Sequence, residues 1–178
     1  MKQIRRGVFE TNSSSSHSLV IKKDGSHYTR EEMLESLWLD DDGTWEIWSE
    51  EELRFGRFPF RCLETFEAKA RYAIASFCGY TPENFDEVES VIKEIIPECT
   101  NIKLPKVYQY YDDSKLITYG GVDENILAPF LKENNISLKE FLTNKKYVVI
   151  VDGDEYCIWE SLKNAGLINT DNIEKESK

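Results

Sequence analysis

Apolar residues along this chain recur at two spacings, one typical of strands and one typical of helices. The strand-like spacing occurs in six short runs, at residues 4–9, 18–21, 44–48, 107–111, 115–119 and 147–151. The last run is the most apolar, so we expect it to lie at the centre of a sheet. The two runs before it have the pattern of a hairpin.

Helical spacing predicts six helices, and capping residues mark where several of them begin. Thr29 and Glu32 have the spacing of a capping box, as do Ser137 and Glu140. The other helices are expected at about 62–78, from Thr81-Pro82 to near Pro97, from Asp123 through Leu131, and at 156–165.

The same spacing predicts which side chains face the core. The first helix should place Met33, Leu34, Leu37 and Trp38 on its inward face. Five residues are expected to be almost fully buried, namely Phe66, Ile74, Phe77, Val149 and Trp159.

Strands and helices follow one another without the strict alternation of βαβ units, which favours the α+β class. We expect a single domain over residues 1–169, with a mixed or antiparallel sheet packed against several helices. Residues 170–178 are polar and are expected to form a flexible tail.

Composition limits the cellular compartments and the classes of partner that fit this chain. The chain of 178 residues has 22 basic and 33 acidic residues, a net charge of −11, so its average surface should repel nucleic acid. No apolar run is long enough to span a membrane, and the N-terminus lacks the apolar core of a secretory signal. The four cysteines form no CxxC pair, which indicates reduced thiols. We therefore expect a protein of the cytoplasm with no membrane partner.

Most of the net negative charge lies in one segment. Residues 31–52 contain ten acidic residues, three tryptophans and no basic residue. Carboxylates attract a basic protein surface, and aromatic side chains supply contact area, so the segment is a candidate partner-binding surface. An alternative is a solvated face whose tryptophans belong to the core. The candidate residues are Glu31, Glu35, Asp40, Asp41, Asp42, Trp45, Trp48, Glu50 and Glu51.

A second candidate site lies near the N-terminus, where basic residues precede a run of serines. Backbone amides and hydroxyls of such a run can converge on an anion, and arginines add forked phosphate contacts. The anion-binding candidates are Arg5, Arg6, Asn12, Ser13, Ser14, Ser15 and Ser16. In an enzyme, His17 would transfer a proton and Glu10 would orient it. The structural alternative is a turn whose hydroxyls bond nearby backbone groups.

The same N-terminal stretch resembles the opening of a family of uncharacterised bacteriophage and prophage proteins. The resemblance is carried by the residues from Ile4 to Leu19, namely Ile4-Arg5-Arg6-Gly7-Val8-Phe9-Glu10-Thr11-Asn12-Ser13-Ser14-Ser15-Ser16-His17-Ser18-Leu19. It covers under a tenth of the chain, and residues 31–52 have no counterpart in it. The family lends no chemistry to this chain. The resemblance implies a mobile-element origin, and with it the hypothesis of antagonism of host defence.

The remaining motifs favour no cofactor and no metal. Asp152-Gly153-Asp154-Glu155 follows the apolar run, and carboxylates at a strand end can hold a divalent cation, although Asp-Gly is equally a turn sequence. The turn is the favoured interpretation. Tyr119-Gly120-Gly121 lacks the following Gly-Lys of a phosphate loop.

Two functions follow from these observations. The leading hypothesis is a phage-derived protein that acts in the cytoplasm of the bacterial host. We expect it to act by binding rather than by catalysis. Its acidic, tryptophan-containing surface would inhibit a basic host protein that handles nucleic acid, for example a CRISPR nuclease. The alternative is a nucleotide- or phosphate-binding enzyme that uses the Arg5, Arg6, serine-run and His17 cluster.

Overall fold

The computed structural model describes residues 2–4, 17–55, 61–78, 85–105 and 126–151. In these ranges, two sheets pack with five α-helices, which confirms the predicted α+β class. The strands are β1 (Lys2–Ile4), β2 (His17–Ile21), β3 (Thr44–Glu46), β4 (Arg61–Leu63), β5 (Asn101–Lys103) and β6 (Tyr147–Val151). The helices are α1 (Arg30–Leu37), α2 (Phe66–Cys78), α3 (Phe85–Ile95), α4 (Leu127–Asn134) and α5 (Leu138–Thr143), with a 3₁₀ helix at Glu50–Leu53.

The main sheet is built around β6, as the apolar pattern predicts. Its strand order is β1-β2-β6-β4, and each pair is antiparallel. His17 lies opposite Val151 in the β2–β6 pair, and Cys62 lies opposite Ile150 in the β4–β6 pair. Val148 and Val149 of β6 are fully buried on opposite faces of the sheet. Val149 belongs to the main core with the helices, whereas Val148 packs with Val20 of β2.

A second, two-stranded sheet carries the segment that follows α1. Here β3 and β5 run parallel, with Trp45 opposite Ile102. The pairing extends one residue further, since the amide of Ile47 donates to the carbonyl of Lys103 at 2.9 Å. The expected strand at 44–48 is therefore confirmed in its first part, and its continuation leads to the exposed Trp48.

The central helix α2 begins later than the apolar pattern predicts. The pattern placed Cys62 and Leu63 in this helix, whereas both belong to β4 and pair with β6. Thr65 marks the change, because its hydroxyl accepts a hydrogen bond from the amide of Ala68 at 3.1 Å. Such a cap satisfies an amide at the helix start and fixes the boundary there.

The predicted core residues are mostly, though not all, buried. Phe66, Ile74 and Val149 are at most 1% exposed, as expected. The expectation for Phe77 is wrong, since it is only half-buried in the last turn of α2, where it packs against the edge of the core. Trp159 lies outside the described residues.

Helix α1 begins as predicted and ends differently. The hydroxyl of Thr29 accepts from the amide of Glu32 at 3.2 Å, and the Glu32 carboxylate accepts from the amide of Thr29 at 2.8 Å, so the capping box is confirmed. Met33 and Leu37 are buried as expected. Trp38 is not on the inward face, because it adopts a left-handed conformation (φ 51°) at the helix end. This conformation takes it out of the helical spacing.

The later helices match their predicted caps in part. Ser137 caps α5, with its hydroxyl accepting from the amide of Glu140 at 3.1 Å. The reciprocal half of the predicted box is not formed, because the Glu140 carboxylate accepts from Asn144 and contacts His27 instead. Helix α4 begins at Leu127 with Ile126 as its N-cap, rather than at the predicted Asp123. Helix α3 ends before Pro97, as expected.

Several predicted features lie outside the described residues. They are the continuation of the first strand at 5–9, the start of the third helix at 81–84, the hairpin at 107–119, the acidic turn at 152–155, the last helix at 156–165 and the tail at 170–178. Among the residues that are described, no helix has the length and apolar character needed to cross a membrane.

The capping box of α1 leads to a first prediction. Replacing Thr29 with alanine removes the acceptor for the Glu32 amide, so the free energy of unfolding should fall by about 1 kcal/mol. Chemical denaturation measures the loss, and Thr29→Ser, which keeps the hydroxyl, is the matched control. Equal stability of the alanine and serine variants would show that the cap contributes nothing.

Candidate interaction surface

The acidic segment at 31–52 presents a group of exposed carboxylates that we call the acidic surface. Two of them lie one turn apart on α1, three are consecutive in the loop between α1 and β3, and one belongs to the 3₁₀ helix. All six side chains are exposed to solvent. The acidic surface consists of Glu31, Glu35, Asp40, Asp41, Asp42 and Glu51.

Three other carboxylates of the segment are neutralised by the rest of the fold. Glu32 pairs with Lys145 at 2.7 Å, which lowers the pKa of Glu32. Glu46 pairs with Lys103 on the neighbouring strand β5. Glu52 pairs with Arg71 of α2 at 2.5 Å. These pairs attach the segment to the body of the protein at three points.

Among the described residues, most of the acidic surface has no such partner. Within the described ranges, Glu31, Glu35, Asp40, Asp41 and Glu51 form no ion pair and no side-chain hydrogen bond with another described residue. Asp42 accepts a hydrogen bond from the amide of Thr44 at 2.9 Å. Hydrogen bonding to the side chain of Thr44, and then to its amide, lowers the pKa of the Asp42 carboxyl. Asp42 is therefore held in its charged form.

The loop that carries the three aspartates is fixed at its base. The amide of Asp40 donates to the carbonyl of Thr44, and the amide of Gly43 donates to that of Asp40, both at 2.9 Å. Thr100 holds the turn from outside, with its amide bonded to the Gly43 carbonyl and its hydroxyl to the Asp42 carbonyl. Gly43 has a φ of 81°, and an added Cβ would lie 2.4 Å from the carbonyl oxygen of Glu98. Only glycine fits there, so the loop geometry is determined by its backbone.

Two tryptophans extend from the same segment into solvent. Trp38 is 86% exposed and Trp48 is 72% exposed, and in the described part of the chain they are the only large hydrophobic side chains of this kind. The backbone at Trp48 is held by Glu52, whose Oε1 accepts from the amides of Trp48 and Ser49 at 3.0 Å. The other oxygen of Glu52 pairs with Arg71, so an ion pair to α2 orients this turn.

The structure corrects one member of the predicted partner-binding set. Trp45 is only 1% exposed, because β3 directs it into the core opposite Ile102, so it cannot contact a partner. Trp38, which the helical spacing placed in the core, is exposed instead of Trp45. The left-handed turn that exposes Trp38 has no clear signal in the sequence. Glu50 begins the 3₁₀ helix, and its side chain lies outside the described part.

The predicted anion site lies almost wholly outside the described residues. Arg5, Arg6, Glu10, Asn12 and the four serines are not among them, and neither is the side chain of His17. The backbone of His17 forms the first residue of β2. This site and its enzymatic role stay predictions.

The described residues also bear on metal and thiol chemistry. They contain no group of three or more His, Cys, Asp or Glu side chains arranged to hold a metal ion. Cys62 and Cys99 are free thiols, and burial raises the pKa of Cys62 to about 11, which keeps it protonated and unreactive at neutral pH.

Comparison of the chain with protein-family models, with curated proteins and with solved structures finds no match. The function is therefore inferred from the geometry of the acidic surface and of the exposed Trp38 and Trp48.

Proposed function

We propose that this protein binds a basic partner protein through the acidic surface together with Trp38 and Trp48. The main observation behind the proposal is that the carboxylates of residues 31–52 fall into two groups, one paired with basic side chains of the fold and one exposed to solvent. Three carboxylates are paired with basic side chains of the fold, whereas the acidic surface forms no ion pair with the described residues, and the same segment exposes two indoles. Unpaired charge and exposed aromatic area on a fixed backbone are the features of a protein-binding surface.

The tryptophans support a partner of macromolecular size. Each indole offers a large apolar area at a low entropic cost, and tryptophan is among the residues that most often dominate interface energies. The backbone of both residues is held, Trp38 by the helix end and Trp48 by Glu52. Binding would therefore require little ordering of the segment, which favours affinity.

The charge supports a basic protein as the partner. Clustered carboxylates repel phosphate and attract surfaces rich in lysine and arginine, and such surfaces are found where proteins bind nucleic acid. A rigid row of carboxylates can occupy the place of phosphates in such a groove. With the resemblance of the N-terminal stretch to phage proteins, the proposal becomes inhibition of a host defence factor, for example a CRISPR nuclease.

The contribution of the loop charges at Asp40, Asp41 and Asp42 to binding can be tested by substitution. Changing Asp40, Asp41 and Asp42 to asparagine should lower the association rate by about tenfold at low salt and flatten its salt dependence, since steering depends on these charges. The measurement is surface plasmon resonance against a purified CRISPR nuclease, alongside its DNA-cleavage assay. Stability should change by less than about 0.5 kcal/mol, because the side chains are exposed.

The matched control removes three charges from another part of the molecule. The control variant combines three changes of exposed carboxylates: Asp24→Asn, Asp86→Asn and Glu87→Gln. Asp86 and Glu87 lie in the first turn of α3, whereas the turn that contacts the loop of Asp40–Asp42 follows the other end of this helix. This control should bind and inhibit like the wild type. A triple aspartate variant with the same association rate at every salt concentration would contradict the proposal. So would a wild-type protein that binds no basic nuclease and leaves cleavage unchanged.

A further inference from the structure

A lysine is completely buried in the middle of α2. Lys69 has no exposed surface, and it lies on the same helix stripe as Phe66 and Ala73, one turn away on either side. Lysine is almost never fully buried without a paired carboxylate, because removing an ammonium from water costs several kcal/mol. Its surroundings therefore determine whether the side chain keeps its proton.

The amine of Lys69 is held by carbonyls and aromatic rings. Its Nζ donates to the carbonyl of Phe141 at 2.9 Å and to that of Asn144 at 3.0 Å, both at the C-terminal end of α5. The rings of Tyr28 and Phe141 lie with their centroids 4.7 Å and 5.5 Å from Nζ. No carboxylate among the described residues forms an ion pair with it.

The charged and titratable groups around this position belong to three neighbouring segments. On α5, Glu140 is the nearest acid, but its oxygens already contact His27 and accept from Asn144 at 3.0 Å and 2.9 Å, with Lys146 at 3.7 Å. After β2, Lys22 adds positive charge and pairs with Glu64, at the end of β4, at 2.8 Å. Lys145 lies 5.3 Å from the ring centroid of Tyr28, whose hydroxyl donates to the Glu64 carbonyl.

The two protonation forms of Lys69 both fit this site. An ammonium has three donors, two for the carbonyls and one for the aromatic faces, and a neutral amine still has two donors for the carbonyls. Burial, followed by the repulsion from Lys22, lowers the pKa of Lys69 to about 7, against a smaller opposing effect of Glu140. The proton can therefore leave without breaking the contact between α2 and α5.

We propose that Lys69 is a pH-responsive joint between α2 and α5, because its buried amine is held only by carbonyls and aromatic rings among the described residues. It loses its proton inside the folded protein at a lower pH than a lysine in water, and the fold gains stability relative to the unfolded chain as it does so. The turn after α5 also contacts residues outside the two helices. Asn144 forms a β-bridge with His27, and Lys145 pairs with Glu32 of α1, so the same turn connects to the acidic segment.

The direction of the effect follows from proton linkage. In the unfolded chain Lys69 should titrate near the ordinary value of about 10.4, so from about pH 7 to that value the unfolded state binds more protons than the folded state. The stability contributed by this site should therefore rise with pH over that interval. Below about pH 7 both states are protonated, and the contribution stays at its lowest level.

The direct test is a titration of lysine side chains by NMR in the full chain. One ¹³Cε signal should have its midpoint near pH 7, well below the value of about 10.4 for a lysine in water. Contacts of its methylene protons with the rings of Tyr28 and Phe141 would assign it to Lys69 without a variant. If every lysine titrated above pH 9.5, the proposal would be overturned.

A second measurement compares stability across pH. The folding equilibrium constant of the wild type, relative to that of Lys69→Met, should rise by up to about tenfold per pH unit above pH 7. Lys139→Met, which removes an exposed lysine paired with Glu94, should show no such trend. Parallel pH profiles for the wild type and Lys69→Met would refute the joint. If Lys69→Met fails to fold, the NMR titration alone decides.

Discussion

Replacing Trp45 with alanine should lower the free energy of unfolding by about 3–5 kcal/mol, the range for large aromatic residues removed from a core. Trp45 is among the largest fully buried side chains, and it packs where β3 meets β5. Because typical domains are stable by only about 5–15 kcal/mol, this variant should be close to unfolding at 37 °C. Urea denaturation followed by far-UV circular dichroism measures the loss.

The neighbouring tryptophan provides the control for this prediction. Trp48→Ala changes the same residue type three positions away, but its side chain is mostly in solvent, so stability should change by less than about 0.5 kcal/mol. If Trp45→Ala were as stable as Trp48→Ala, the inward orientation of Trp45 would be wrong.

Replacing Trp38 or Trp48 with alanine should weaken partner binding by about 30-fold each, which corresponds to about 2 kcal/mol for an interface hot spot. The expected change is mainly in the dissociation rate, since apolar contacts act after encounter, whereas the aspartates act during approach. Kinetic binding measurements against the purified nuclease separate the two effects.

The matched variants for this prediction keep an aromatic ring. Trp38→Phe and Trp48→Phe should retain part of the affinity, and all four variants should unfold at the same denaturant concentration as the wild type. Full affinity in both alanine variants would limit the binding surface to the carboxylates. It would also leave the exposure of the two indoles without a role.

Local signals in the sequence predict much of this fold correctly. The caps at Thr29 and Ser137 are short-range features, determined by one side chain and an amide three residues away, and both are present. The central strand at 147–151 is equally clear, because burial on both faces requires an unbroken apolar run. Such features depend little on the rest of the chain.

Features that depend on distant contacts are harder to predict. Cys62 and Leu63 continue the helical pattern of α2, but β6 needs a partner on its free edge, and strand pairing prevails over local spacing. Trp38 and Trp45 exchange their expected places for a similar reason. Trp38 leaves the helical spacing at the left-handed end of α1, and the pairing of β3 with the distant strand β5 directs Trp45 into the core.

Lys69 illustrates a signal that is present in the sequence and easily overlooked. Its spacing from Phe66 and Ala73 places it on the apolar stripe, where a lysine is unusual. Its partners cannot be predicted in this way, because they are backbone carbonyls at the end of a helix far along the chain.

The pairing of β2 with β6 also has a consequence for synthesis on the ribosome. Ile21 lies opposite Tyr147, so β2 is made long before the strand it requires. At about 5–20 residues per second, the delay is roughly 6–25 s. During this time the buried side chains Leu19 and Val20 have no sheet to join beyond the short β1–β2 hairpin, which is marginally stable by itself. These two side chains therefore lack their partner strand until residue 151 has been made.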